Sequence, residues 1–188
     1  MRNQIMSAAM EEINEFGIKF TMTDIVKRLS ISKSTLYAHF KSKEELIGAI
    51  VDSSLASMSQ NEKNILDNNT LNISEKLKAL LVIQPPMAIS FRFMMDLRRH
   101  FPEEWNKGQR HRNGKWESIE SLITQGITDG YFRSIDLAIL RIIFNATVNE
   151  LMDQRFSIHN TLSFTDSMNK MADILFRGIL QTDSSDES

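Results

Sequence analysis

The polar residues between Ile25 and Lys43 are of the kinds that bind phosphate. Lys27, Arg28, Lys33, Lys41 and Lys43 share this window with Ser32, Ser34, Thr35, Tyr37 and His39, and no Asp or Glu interrupts it. The full chain of 188 residues carries 24 acidic against 22 basic side chains, a formal charge of -2. No global field therefore draws a polyanion, and any such attraction must be local. Hydroxyl and ammonium donors without neighbouring carboxylates suit a nucleic-acid backbone, whose phosphates would repel an acid.

Catalytic constellations are sparse by comparison. His100 with Glu103 and Glu104, and His111 between Arg110 and Arg112, are the candidates for acid–base or metal chemistry. Pro102 keeps His100 from sharing a continuous helix face with both carboxylates. No His-Glu-x-x-His spacing, Gly-rich phosphate loop or nucleophile elbow occurs. The absence of cysteine excludes disulfides and thiol catalysis and fits a reducing compartment. Neither enzymatic activity, cofactor nor metal is expected. Without a signal-peptide pattern or a membrane-length apolar run, a cytoplasmic protein with no membrane partner is the expectation.

The elements that must hold the phosphate-binding residues are helical. Apolar residues recur every three or four positions, and seven Gly and three Pro leave few breaks. Asn3 to Phe16 forms a first helix with Ile5, Ala8, Ala9, Ile13 and Phe16 on one stripe and Gly17 as its C-cap. Thr21 with Asp24 makes a capping box for a second, in which Ile25, Val26 and Leu29 face inward. The turn Ser30-Ile31-Ser32 leads to a third, capped by Ser32, whose inward residues are Leu36 and Phe40. Ser42 and Glu45 form the next box. Three short helices with tight turns make a helix-turn-helix, whose third helix enters the major groove.

The order "TMTDIVKRLSISKSTLYAHFKSKEELI", residues 21–47, resembles the DNA-binding region of TetR-type transcriptional repressors. Thr21, Asp24, Ile25, Ser32, Thr35, Leu36, Tyr37, Phe40, Lys43 and Leu46 fall on that family's pattern. The chain departs from it at Val26, where the family usually has Ala, and at Ser30-Ile31, where it has Gly-Val. The resemblance implies that Thr21, Ser32, Thr35 and Lys43 meet phosphates. It implies further that Lys33, Ser34 and Tyr37 reach base edges or flanking phosphates, with His39 at the groove edge. Arg2 is a further phosphate candidate. The fold implied is all-α, with about nine helices. A helix-turn-helix domain over 1–48 is followed by a helical bundle over 49–188 for effector binding and dimerisation.

In the second half, a polar, Asn-rich stretch at Ser59–Asn72 reads as a boundary or loop. Helices are expected at about 73–83, 87–99, 103–129, 135–156 and 163–180, and the final residues read as frayed. The last two long helices are the expected dimer surface, through Phe144, Val148, Leu151, Met168, Met171 and Leu175, with Leu140 on the same stripe. Phe91, Met94, Met95, Trp105, Gln109, Arg112, Trp116, Asn145 and Asn149 are the expected lining of an effector pocket, where a few polar groups interrupt apolar stripes. A homodimer on double-stranded operator DNA, released by a small apolar or amphipathic molecule, is the function implied. Two alternatives stand beside it: an adaptor that binds a protein partner through the basic segment Arg98 to Lys115, and a helical enzyme using His100 and Glu104.

Overall fold

The computed structural model describes residues 1–83, 91–151 and 164–180. The described residues form nine α-helices and no named strand. In chain order these are α1 (Arg2–Phe16), α2 (Met22–Leu29), α3 (Lys33–His39), α4 (Lys43–Leu66), α5 (Ile73–Leu81), α6 (Phe91–His100), α7 (Pro102–Thr128), α8 (Leu137–Leu151) and α9 (Phe164–Ile179), with a 3-10 turn at Gly17–Lys19. The all-helical expectation and the count of about nine hold. Residues 84–90, which include the first residues of the helix expected at 87–99, the chain between 152 and 163, and the C-terminal tail lie outside the described residues.

Two compact units divide the chain: Met1–Ser57 with Pro85–Arg110, and Met58–Gln84 with His111–Ser188. In the first, Ile5, Ala9, Ile13, Ile25, Leu36, Phe40, Leu46 and Ile47 are fully buried in one core. Their spacing on α1 to α4 turns one stripe of each helix inward, and removing this apolar area from water holds three short helices that would not persist alone. Phe93 and Leu97 bring α6 into the same core. Asp96 accepts a hydrogen bond from the Ile18 amide at 3.0 Å.

Local stops and starts follow the sequence closely. Gly17, at φ 68°, ends α1. Thr21 and Asp24 complete their capping box. Ser30 ends α2 in the left-handed conformation, φ 52° and ψ 40°, where the family usually has Gly. The box at α4 is rearranged: Ser42 accepts from the Glu45 amide, but the Glu45 carboxylate accepts from Lys41 rather than Ser42.

The two units divide near the start of the Ser59–Asn72 stretch, between Ser57 and Met58, but the loop expected there is corrected. α4 runs through it to Leu66, and only residues 67–72 connect to α5. Polar composition misled here, because Ile65 and Leu66 still pack on the second core. Asn72 then caps α5 in a box with Glu75, at 2.8 and 3.0 Å.

The second unit is centred on Leu77, Leu80, Trp116, Ile119, Ile123, Phe132, Phe144, Met168 and Ala172. Trp116 packs on Phe144 with ring centroids 5.6 Å apart. After α7 the chain clasps the end of α9. Arg133 donates its amide to Ile179 and its guanidinium to Gly178, at 2.9 and 2.6 Å.

Candidate nucleic-acid interface

The α3 surface is built by its cap and its two inward residues. Ser32 accepts from the Thr35 amide at 3.0 Å, and the two hydroxyls lie 2.8 Å apart. One hydroxyl hydrogen makes that mutual bond, which leaves the other for an outside acceptor. Leu36 and Phe40 are fully buried. The helical period therefore turns Lys33, Ser34 and Tyr37 outward, and all three are exposed, Tyr37 at 48%. Thr21 is exposed as well, but its hydroxyl already donates to Asp24 at 2.7 Å. That bond, with the Thr21 amide, holds the Asp24 carboxyl below its usual range.

His39 is half-buried at the end of α3. Its carbonyl accepts from the Arg2 guanidinium at 2.8 Å, and Arg2 also lies 4.1 Å over the Phe40 ring. The start of α1 is thereby tied to the end of α3, which gives Arg2 a structural task that the sequence did not disclose.

Two cations of the acid-free window are engaged by the chain itself. Lys43 is corrected: its half-buried ammonium donates to the carbonyls of Ile18 and Phe20, the latter at 2.6 Å, and lies 4.3 Å over the Phe20 ring. Burial pushes it below the usual lysine range. It clamps the turn before α2 instead of offering a free charge to phosphate. Arg28 faces α1, where it pairs with Glu12 at 2.5 Å, Glu15 at 2.9 Å and Glu11 at 3.1 Å. These carboxylates raise its pKa. Acids absent from the local sequence are supplied by a neighbouring helix, so the exposed positive charge is Lys27, Lys33 and Lys41.

The other expected sites fare unevenly. Of the dimer residues, Phe144, Val148, Leu151, Met168 and Met171 are buried in the second unit's own core and Leu175 is half-buried, which corrects that assignment. The outward faces of the same helices carry Ile139, Ile142 and Ile143 on α8 and Ile174 on α9. The sequence showed apolar residues on several faces of these helices, and periodicity alone does not rank them.

The expected pocket residues are divided between the two units. Met94, Met95, Trp105 and Gln109 belong to the first unit; Arg112, Trp116, Asn145 and Asn149 belong to the second. The side chain of Phe91 lies outside the described residues. On α6, Phe93 and Leu97 face the first core, Met94 is half-buried and Met95 is exposed. Leu77, Leu81, Trp116, Ile119, Ile123, Leu140, Phe144, Leu175 and Ile179 line an apolar crevice of about 10 Å³. This is about the room of one water.

The basic segment 98–115 is also not one surface. Arg98, Arg99, His100 and Arg110 are exposed, but Lys115 is buried. Lys107 bridges Asp52 and Glu104, each at 2.8 Å, so the Glu104 carboxylate named for catalysis is held by a lysine. Sequence reasoning missed Glu62, whose Oε1 lies 3.1 Å from His111 Nε2 with neither atom making a hydrogen bond among the described residues, and whose charge acts on Lys115. Its signal was Lys115 itself, on the same turn as Trp116 in the inward stripe of α7.

Comparison with known proteins bears on this geometry. Residues 5–50 match the family model "Bacterial regulatory proteins, tetR family". The chain is 25% identical over 188 residues, 99% of each chain, to the uncharacterized HTH-type transcriptional regulator YvaF of Bacillus subtilis (strain 168). A transcriptional regulator from Saccharomonospora viridis in complex with choline shares the fold with a TM-score of 0.76, at 19% identity over 96% of this chain and 98% of that one. The ketosteroid transcriptional regulator KstR2 of Mycobacterium tuberculosis gives a TM-score of 0.69, at 20% identity over 96% and 95%. Residues 5–50 therefore carry the DNA-binding region of the tetR family of bacterial regulatory proteins, and the helical fold is one that solved transcriptional regulators share along nearly the whole length.

Proposed function

We propose that the chain is a homodimeric repressor of the cytoplasm that binds a palindromic operator in double-stranded DNA. A small apolar or amphipathic molecule bound within residues 49–188 releases it, and residues 1–48 read the DNA. The observation that carries the reading is the outward presentation of Lys33, Ser34 and Tyr37 from a helix anchored by Leu36 and Phe40. Phosphate contacts from Thr21, Ser32, Thr35 and Lys41 set register, and the α3 side chains set sequence. His39 marks the groove edge.

A helix of seven residues reads too little DNA alone, so two copies are needed on half-sites about one duplex turn apart. The outward isoleucines of α8 and α9 supply a surface for pairing, since solvent-facing apolar patches mark interaction sites. Release requires that the ligand prefer the conformer that does not fit DNA. A coupling of roughly 1–3 kcal/mol would change operator affinity about 5–150-fold, and DNA would weaken ligand binding by the same factor. A structural neighbour solved with choline supports a small-molecule role for this fold.

Selection of bound fragments from random duplex DNA tests the reading. A two-fold symmetric site is the expected product; an asymmetric site removes the dimer, and no enrichment removes the DNA reading. A filled crevice beside solvent-facing isoleucines gives the protein-partner alternative its one supporting observation. Light scattering separates the two: a dimer at micromolar concentration assigns the isoleucine faces to a second copy, and a monomer favours the partner.

A further inference from the structure

The last carbonyls of a helix have no partner in its own ladder and carry the negative end of its dipole. α3 ends this way at His39. On a helix that lies against DNA, such an end repels the phosphates that flank it. Here the His39 carbonyl accepts a hydrogen bond from Arg2 Nη1 at 2.8 Å, across 37 positions of the chain. The same guanidinium lies over the Phe40 ring, 4.1 Å from its centroid, and Phe40 is fully buried in the first unit's core. Arg2 therefore touches the end of α3 twice, once at the backbone and once at the side chain that anchors it.

These contacts leave the group with more to give. A guanidinium carries several N–H donors in a planar fork, and the carbonyl takes one of them. Arg2 is exposed, and its charge is permanent. Arg28 is matched by three carboxylates of α1, whereas among the described residues no carboxylate pairs with Arg2. Its positive charge thus covers the negative end of α3 and still faces water.

We propose that Arg2 has two tasks in operator binding: it positions the C-terminal end of α3 through the His39 carbonyl, and its remaining N–H groups donate to the phosphate flanking that end. The proposal rests on the DNA reading above and adds a residue outside the helix-turn-helix segment. Arginine suits both tasks. A lysine ammonium would restore the charge, but it has no plane to lay on the Phe40 ring and no fork to share between a carbonyl and a phosphate.

The test uses the full chain, the duplex that selection enriches, and the variants Arg2→Gln and Arg2→Lys. Binding is read by fluorescence anisotropy between about 50 and 200 mM salt, with thermal midpoints alongside. Arg2→Gln should bind about tenfold more weakly at the lower salt and lose about one unit of salt slope per chain bound. Arg2→Lys should regain the slope, because the charge returns, but stay about threefold weaker than the parent, because the end of α3 is no longer held. Repeating the selection with Arg2→Lys should relax base preference at one edge of the site. A phosphate contact alone weakens all sequences alike and would leave that preference intact.

Parental affinity and slope in Arg2→Gln overturn the proposal. A weaker affinity with an unchanged slope overturns it too, since an arginine that only supports the fold behaves so. Parental affinity and base preference in Arg2→Lys overturn the positioning task. Should Arg2→Gln fail to fold, Arg2→Lys decides: weaker binding and relaxed preference at a parental midpoint support the proposal, and parental binding overturns it. If the parent enriches no duplex, the DNA reading falls and this proposal with it; if the parent binds and Arg2 is indifferent, only this proposal falls.

Discussion

In the first unit the large exposed apolar side chains are few and scattered, chiefly Phe16, Tyr37 and Met95, whereas α8 and α9 set Ile139, Ile142, Ile143 and Ile174 outward, with Ile142 at 62% and Ile174 at 71% exposure. Charge runs the opposite way. The first unit leaves Lys27, Lys33 and Lys41 at the surface and pairs Arg28 and Lys107 with its own acids, while the second buries Lys115. One unit completes its apolar packing and offers solvated charge to a polar partner. The other leaves apolar surface unfinished and holds a charge inside. Solvated charge thus marks the first unit, and exposed apolar surface the second.

Breaking the contrast on its apolar side should give the largest effect. Ile142→Asp places a charge in the proposed pairing face, and the chain should then sediment as a monomer with operator binding reduced more than a hundredfold. An unchanged dimer would move the interface elsewhere.

The buried charge gives the next effect. Lys115 titrates near 8 in the folded chain against 10.5 in the open one. The unfolded state therefore binds more protons between about pH 8 and 10.5, and this group's contribution to stability rises with pH across that window, by up to about 3 kcal/mol. Urea unfolding of the parent and Lys115→Met should differ most at pH 7, with the variant the more stable, and converge only above about pH 10.5.

Gly126 sharpens the second unit's packing. A Cβ there would lie 2.2 Å from the Phe132 ring, so Gly126→Ala must displace the ring that helps clasp α9. A loss of about 1–3 kcal/mol follows for such overpacking, read as a lower thermal midpoint.

In the first unit Lys33 and Lys43 form a matched pair, one exposed and one clamped. Lys33→Ala should weaken operator binding, flatten its salt dependence by about one unit of slope, and leave the thermal midpoint in place. Lys43→Ala should lower the midpoint by losing charged hydrogen bonds of about 1–3 kcal/mol. Equal behaviour of the two would erase the distinction drawn between them. The smallest effect is at Ser30, where a side chain occupies a left-handed turn. Ser30→Gly should stabilise the chain by about 1 kcal/mol.

The sequence by itself determined the helices, most of their caps and the composition of α3. These depend on contacts within a few residues: Thr21 with Asp24, Ser32 with Thr35, Leu36 one turn before Phe40. It also located the Ser30 turn that departs from Gly. Tertiary structure alone decided which charges remain available and which apolar stripes face out. Arg28 is neutralised by acids 13 to 17 residues earlier, and Lys43 turns to carbonyls 23 and 25 residues away. On α8, Phe144 and Ile142 are alike in a hydropathy pattern, and only packing against α7 and α9 buries the first and leaves the second in water. Local rules fix how a helix starts, stops and divides its faces, but which face is covered depends on partners distant in the chain.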